Sequence, residues 1–427
     1  MVISSTFSIL FSHGIKILYG LVLLKLIAVY LGPDGLGELG NFMSLVTIFT
    51  VIAGGGVING IIKYVAEYKN TPDKLYGFIY TSLVYSICFS IVVLILSIIF
   101  SNYISILIFG NDKYSSVIIF AALSQIILSL VNVIVGIVNG YRNTVLYAKI
   151  TIFGYIISFP VVYFFIKYSG YVGAAKSLVV ASALMILPAI IFCFRYFSLN
   201  EFKTHASLDS KYLKDISKFS LMLLVSVSTF PISEIIIRNI IIENVGLANA
   251  GIWQSLTKLS AVYMGFIGIF LNFYFMPLLS EKGNDISSIN RIVIKFSCII
   301  LISFFCTSIF FYFLRSFIIS LVFSKEFLVA GDFIIYQLIG DFFRVGSYII
   351  GFIVVAKAAT KLYIFAEILQ CTLYVSIVYF SLKFSSGFEL STVFKSYIYV
   401  YMIYLLVCYL VYYFWYKNRR SINVINN

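Results

Sequence analysis

Apolar runs of twenty or more residues follow one another along the chain, separated by short polar turns. Twelve can be traced, at residues 6–31, 38–65, 76–100, 116–138, 146–168, 173–195, 216–243, 247–280, 291–314, 330–356, 362–384 and 393–416. A run such as 83–100 (LVYSICFSIVVLILSIIF) is apolar all the way round. That suits a helix in lipid, where backbone groups must bond to one another. A β-barrel would instead show segments of about ten residues alternating apolar and polar. The second and eighth runs exceed the roughly 20 residues a bilayer needs and are expected to tilt or project. The longest polar interruption separates the sixth run from the seventh. The pattern therefore predicts an N-terminal lobe at 1–196, a cytoplasmic linker at 197–214, a C-terminal lobe at 215–416 and a cytoplasmic tail at 417–427.

The two lobes share a sequence. Gly35-Leu36-Gly37-Glu38-Leu39-Gly40-Asn41-Phe42-Met43-Ser44-Leu45 opens the second run, and Gly246-Leu247-Ala248-Asn249-Ala250-Gly251-Ile252-Trp253-Gln254-Ser255-Leu256 opens the eighth. At a constant offset of 211, five of the eleven positions are identical, and Phe42 is matched by Trp253. Duplication accounts for a match at the same point of each half. Six spans per half keep both copies in one orientation, as parallel repeats about an axis along the membrane normal. The fold class is thus an all-α polytopic membrane protein, with about twelve transmembrane helices in two six-helix lobes related by pseudo-two-fold symmetry.

Composition narrows the class further. Hydrophobic residues make up 61% and charged residues 11% of 427, against about 45–50% and 25% in soluble domains. At about 20 residues per span, that apolar total allows no more than about thirteen. The net charge of +13 does not indicate nucleic acid, because no basic cluster is longer than Arg419-Arg420. Eighteen Lys and Arg fall in the loops after even-numbered runs, at the run ends bordering them or in the tail, and seven in or bordering the loops after odd-numbered runs. By the positive-inside rule both termini are cytoplasmic. The N-terminus lacks a positively charged signal region and is expected to remain uncleaved. The six cysteines all lie inside apolar runs without a CxxC pair, so neither a disulfide framework nor a metal site is expected.

Charges at membrane depth cost at least ~2.5–3.5 kcal/mol each on insertion scales, which makes them candidate functional groups. The cations are Lys16, Lys25, Arg238, Lys258 and Arg344, and the anions are Glu38, Glu234, Asp341 and Glu367. Glu234 and Arg238 stand at i,i+4 and Asp341 and Arg344 at i,i+3, spacings that allow local neutralisation. Setting those pairs aside leaves three lysines against two glutamates, an excess that leans toward an anionic ligand. Lys25 can equally snorkel to the outer interface. Pro231 invites a kink in the seventh run. Gln125, Ser129, Asn132 and Asn139 form a polar stripe that suits helix–helix contact as well as a sugar-binding wall. Ala53-Gly54-Gly55-Gly56 marks close helix packing or local unwinding, with close packing favoured. No HExxH, P-loop or GxSxG motif occurs, so neither an enzyme nor an ATP-driven pump is indicated.

Residues 25–40 (KLIAVYLGPDGLGELG), 56–68 (GVINGIIKYVAEY), Gly251-Ile252-Trp253-Gln254-Ser255 and 338–358 (LIGDFFRVGSYIIGFIVVAKA) resemble the Wzx-type O-antigen and enterobacterial common antigen flippases. These belong to the multidrug/oligosaccharidyl-lipid/polysaccharide exporter superfamily, and the resemblance spans nearly the whole chain. It implies a MATE-like, V-shaped pair of lobes in the bacterial inner membrane. It also implies an undecaprenyl-pyrophosphate-linked oligosaccharide as substrate, flipped by alternating access, with a polysaccharide polymerase and a chain-length regulator as partners. Cations are implied at Lys16, Lys25, Arg238, Arg344 and Lys357 and an acid at Asp341. Lys258 joins these substrate-binding candidates on its depth alone. No cofactor is expected, and any Na⁺ or H⁺ coupling must use a deep carboxylate. Asp341 and Glu234 have a cation one turn away and Glu38 can meet Lys25, which leaves Glu367 as first choice ahead of Glu38 and Glu234. A small-molecule cation antiporter and a membrane polymerase or glycosyltransferase remain the rival readings. The first is disfavoured by the cation excess, the second by short outer loops and the repeat.

Overall fold

The computed structural model describes residues 2–193, 208–281, 285–357, 359–384 and 387–425. Over these, each of the twelve runs lies on helix, and no strand occurs among them. The chain divides into two compact units, Met1–Ile235 and Ile236–Asn427.

In the first unit, α1 (Val2–Ile52) carries the first run and most of the second without an intervening loop, breaking only at Gly32 (φ 64°, ψ −168°). A residue without Cβ takes that conformation readily, and Pro33 after it has no N–H to give. A 3-10 turn at Ala53–Gly56 then separates α1 from α2 (Ile58–Tyr68). The helices that follow are α3 (Pro72–Ile99), the short α4 (Ser101–Phe109), α5 (Ser115–Gly140), α6 (Thr144–Ala183) and α7 (Ile186–Cys193). Asn143 caps α6 by accepting the Leu146 N–H at 3.0 Å, and Gly170 (φ 54°) divides α6 between the fifth and sixth runs. α1 packs on α6, and α5 packs on both α3 and α6.

The glycine triplet is unwound: Gly54, Gly55 and Gly56 all have φ near +70°. Close packing accompanies this, since a Cβ on Gly54 would lie 2.0 Å from Ser86 Oγ. Of the two alternatives, unwinding and close packing, both are present, where the sequence favours packing. Backbone groups freed by the break are taken up by neighbouring helices, as hydrocarbon requires. Ser86 Oγ donates to the Gly54 carbonyl at 3.2 Å, and the Gly54 N–H donates to Ser90 Oγ at 3.2 Å. Asn132 Nδ2 donates to the Thr50 carbonyl at 3.2 Å, and Gln125 Nε2 to the Ser90 carbonyl at 2.8 Å. Asn132 of the polar stripe thus clasps the broken helix directly, and Gln125 holds Ser90 of α3, whose hydroxyl accepts from Gly54.

The seventh run, α8 (Ser210–Asn244), starts on the first unit. Tyr212 packs against Tyr68 and Phe78 (ring centroids 5.9 and 5.6 Å), and Ile216 is fully buried in the same core. The Asp209 N–H reaches Thr81 Oγ1 at 3.3 Å. Residues 210–214 are accordingly helix rather than linker, and the division between units falls inside α8 at Ile235. Linker residues 197–207 lie outside the described residues.

The second unit continues with α9 (Leu247–Phe270), a π turn at Leu271–Phe275 and α10 (Met276–Glu281), which together make the long eighth run. It is completed by α11 (Ile286–Phe313), the short α12 (Arg315–Val322), α13 (Ala330–Ala356), α14 (Thr360–Phe384) and α15 (Leu390–Ile425). α13 is central, packing on α15, α11, α9 and α14. Its buried Val345, Ile349 and Ile353 meet Phe275, Val293 and Phe304 in the core. The outside of both units is apolar, with residues such as Ile191 and Phe310 each 63% exposed, which only a hydrocarbon surrounding would solvate. The repeat is visible in burial. Leu39, Phe42, Ser44 and Leu45 are buried in the first unit, and so are their counterparts Ala250, Trp253, Ser255 and Leu256 in the second.

Candidate functional site

Charged residues converge at the middle of α13. Gln337, Asp341, Arg344 and Tyr348 stand at i, i+4, i+7 and i+11, a spacing that puts them along one helix face. Asp341 is fully buried, and an ionised carboxylate there persists only if donors replace its water. Its Oδ2 accepts from Ser260 Oγ at 2.8 Å, from Gln337 Nε2 at 3.1 Å and from the hydroxyl of Tyr263. Its Oδ1 accepts from Tyr397 Oη at 2.6 Å and stands 4.0 Å from Arg344 Nη1. α9, α13 and α15 thus each contribute at least one donor.

Arg344 is held mainly by tyrosines. Nη1 donates to Tyr397 Oη at 3.2 Å and Nη2 to Tyr348 Oη at 3.0 Å. The guanidinium also lies 5.4 Å from the ring centroids of both Tyr348 and Tyr401, a cation–π arrangement. Its carboxylate partner stands at the limit of ion-pair distance, and its side chain keeps 12% exposure where Asp341 has none. Such a cation is oriented chiefly by neutral hydroxyls and ring faces, in the planar geometry a guanidinium offers. Tyr397 bridges the pair and can approach only because position 340 is glycine, where an added Cβ would lie 2.2 Å from the tyrosine ring.

Glu367 belongs to the same cluster. It sits half-buried on α14 and takes a hydrogen bond from Tyr363 one turn earlier, within the electrostatic reach of Arg344. Tyr363 thus gives it a neutral hydrogen-bond partner on its own helix, where Asp341 and Glu234 have a cation one turn away. Gln370, also on α14, donates to Tyr401 Oη at 2.8 Å and ties that helix to α15.

The other candidates are spread over both units. In the first unit, Lys16 is exposed and Lys25 half-buried on α1. Glu38 is half-buried beside a pair of tyrosines, Tyr114 and Tyr171, whose rings are 4.8 Å apart. The Tyr171 hydroxyl reaches the Glu38 carbonyl at 3.5 Å. Tyr114, just before α5, has its phenol pushed up by burial and by its hydrogen bond to the Glu38 carboxylate. Glu234 is buried and accepts from Ser44 Oγ at 3.1 Å. In the second unit, Arg238 is fully buried. It donates to Gln254 Oε1 at 2.5 Å and stacks on Trp253 at 5.4 Å. Lys258 on α9 and Lys357 at the end of α13 are half-buried. Of the sequence candidates, therefore, Asp341, Arg344 and Glu367 come together.

Sequence reasoning missed the tyrosines. Tyr263, Tyr348, Tyr397 and Tyr401 are four among 33, a number that points first to interfacial anchoring. Two signals were available: the spacing of Tyr348 along the Gln337–Asp341–Arg344 face, and the i,i+4 pair Tyr397 and Tyr401.

Residues 2–282 match the family described as "Polysaccharide biosynthesis protein". The chain is 31% identical over 407 residues to the Lipid III flippase of Escherichia coli (strain K12), covering 95% of this chain and 96% of that protein. The Lipid III flippase of Shigella flexneri gives the same figures. In fold it is similar to the inward-facing conformation of a multidrug resistance MATE family transporter of the MOP superfamily. The TM-score is 0.81 over 95% of each chain at 14% identity, a likeness that establishes architecture only. Both lobes of that architecture and a whole-length relationship to flippases being present, the chain belongs to the polysaccharide biosynthesis protein family.

Proposed function

We propose that this protein is a flippase that carries an undecaprenyl-pyrophosphate-linked oligosaccharide from the inner to the outer leaflet of the bacterial inner membrane by alternating access. The observation that carries the reading is Arg344, a guanidinium held among tyrosines inside a lipid-embedded helical unit. A pyrophosphate head group cannot cross hydrocarbon unaided, since each charge at depth costs at least ~2.5–3.5 kcal/mol. A planar, permanently charged guanidinium replaces water around phosphate oxygens by paired hydrogen bonds. Lys16, Lys25, Lys258 and Lys357 are further cations offered to the head group, and Arg238 ties α8 to α9 through Gln254. The whole-length similarity to two Lipid III flippases supports the substrate class. Both termini face the cytoplasm, as the loop-charge asymmetry indicates. A polymerase and a chain-length regulator would receive the product.

The test is deletion of the gene followed by analysis of lipid-linked oligosaccharides. Repeat units should accumulate on the cytoplasmic leaflet. The wild-type gene should clear them, and Arg344→Ala, inserted at normal level, should not. Absence of accumulation, with raised sensitivity to cationic drugs instead, would favour the antiporter reading.

A further inference from the structure

The second unit carries a groove that the head-group cluster does not use. α9 and α11 each pack on α13 more closely than on one another, and a groove of about 420 Å³ runs between them. That is within the ~300–1,000 Å³ range of ligand sites. Phe266 and Phe270 of α9 face Ile299, Ser303 and Phe304 of α11, with Tyr263 also in the lining. Phe266 and Ile299 are 54% and 51% exposed, so the groove opens on the outer flank of membrane-spanning helices. The π turn at Leu271–Phe275 begins where the α9 wall ends, and turns of this kind recur at functional sites. Phe270 there stacks on Tyr274 (ring centroids 5.6 Å, 15°) and contacts Phe296 at 6.1 Å.

Two features say what would fill it. Lys295 is exposed one turn before Ile299 on α11, and Arg291 is exposed a turn before that. The hydrocarbon wall therefore continues into a cationic rim, with long side chains able to reach the interface. A glycan in this groove would leave its hydroxyls largely unpaired. A hydrocarbon chain ending in an anionic group matches both parts. The second feature is Tyr263, which lines the groove while its hydroxyl donates to Asp341. Asp341 is joined through Tyr397 to Arg344. Occupancy of the groove thus bears directly on the residues placed for the head group, a link that serves a chain belonging to the substrate. The irregular walls of phenylalanine rings suit a methyl-branched chain better than a linear acyl one.

The geometry points to the α9–α11 groove as the binding site for the isoprenoid chain of the lipid-linked substrate, with Lys295 and Arg291 forming the rim where its phosphate docks before reaching Arg344. This rests on the flippase reading and adds where the lipid part rides: on the flank of the second unit, not free in the bilayer.

The experiment uses the full chain in nanodiscs of phosphatidylethanolamine and phosphatidylglycerol containing undecaprenyl pyrophosphate as the probe. A photoreactive p-benzoylphenylalanine replaces Ile299, or, as a lipid-facing control, Ile191. Adduct masses at Ile299 should be enriched in undecaprenyl pyrophosphate about tenfold over its share of the lipid, and those at Ile191 should follow bilayer composition. Ser303→Trp, which fills the groove, and Lys295→Glu, which reverses the rim charge, should each remove most of that enrichment. Adducts at Ile299 that follow bilayer composition, or enrichment that survives both substitutions, would overturn the assignment. If deletion causes accumulation yet Ile299 captures only phospholipid, the groove assignment alone falls. If deletion causes no accumulation, the flippase reading falls whatever Ile299 captures.

Discussion

Asp341 and Arg344 show how a charge survives inside an apolar helical unit. Asp341 has no exposure and four hydrogen-bond donors from Ser260, Tyr263, Gln337 and Tyr397, so its desolvation is offset chiefly by hydroxyls and an amide. Removing the carboxylate leaves those donors and Arg344 without their shared acceptor. Asp341→Ala should therefore lower stability in detergent by about 3 kcal/mol, read from the thermal unfolding midpoint. Arg344→Lys should retain insertion but only part of the transport, because an ammonium cannot bridge Tyr348 and Tyr397 with the planar fork of a guanidinium. Gly340→Ala should resemble Tyr397→Phe in transport, since the added methyl displaces the Tyr397 ring. Transport equal to wild type in both would show that the Tyr397 bridge is dispensable.

At the scale of elements, the break after α1 is satisfied by neighbouring helices. The turn at Gly54–Gly56 depends on left-handed backbone that an L side chain adopts at a cost of roughly 1–2 kcal/mol. Gly55→Ala adds a Cβ within 2.7 Å of the Tyr85 ring as well, so it should destabilise by about 2 kcal/mol. Ser90→Ala should cost less, because it removes one acceptor from the Gly54 N–H while leaving Ser86 and Asn132 in place. Thermal unfolding of the two variants in detergent gives that ranking. Outside the membrane, Asp285 caps α11 by accepting the Ser288 N–H at 3.1 Å. Hydrogen bonds from Ser288 and Ser287 hold its carboxyl down at about 2. A depressed carboxyl stabilises the folded state above its ordinary value of 3.8 and loses that contribution as pH falls toward 2. Asp285→Ala should thus speed hydrogen exchange of the first α11 turn, relative to wild type at equal pH, near pH 6 and not near pH 2.

For the whole molecule, orientation and energy source are the outstanding physical quantities. Cysteines placed in the linker at 197–209 and after Lys417 should be labelled only from the cytoplasm. Labelling of either by an impermeant reagent in intact spheroplasts would reverse the charge argument. Net transport needs removal of product or an ion gradient, as no nucleotide motif occurs in the sequence. Glu367 is the carboxylate proposed for coupling: it is half-buried, and Tyr363 and Arg344 both act on it. In proteoliposomes Glu367→Gln should abolish the dependence of flipping on an imposed Na⁺ or proton gradient. A gradient-dependent rate left unchanged would remove Glu367, and a rate indifferent to both gradients would favour product pull.

The succession of twelve spans was legible along the chain because lipid demands length and apolarity locally, residue by residue, wherever a helix crosses. Even the extent of α13, residues 330–356, is the same in run and helix. The repeat was legible too, because buried positions such as Phe42 and Trp253 keep their register. Local spacing also put Asp341 next to Arg344. Tertiary structure alone decided what surrounds them: Ser260 and Tyr263 lie some eighty residues earlier and Tyr397 more than fifty later. In an apolar chain every helix face tolerates lipid, so periodicity does not reveal which tyrosine turns inward. That choice is made where helices meet, by the requirement that a buried carboxylate find its donors.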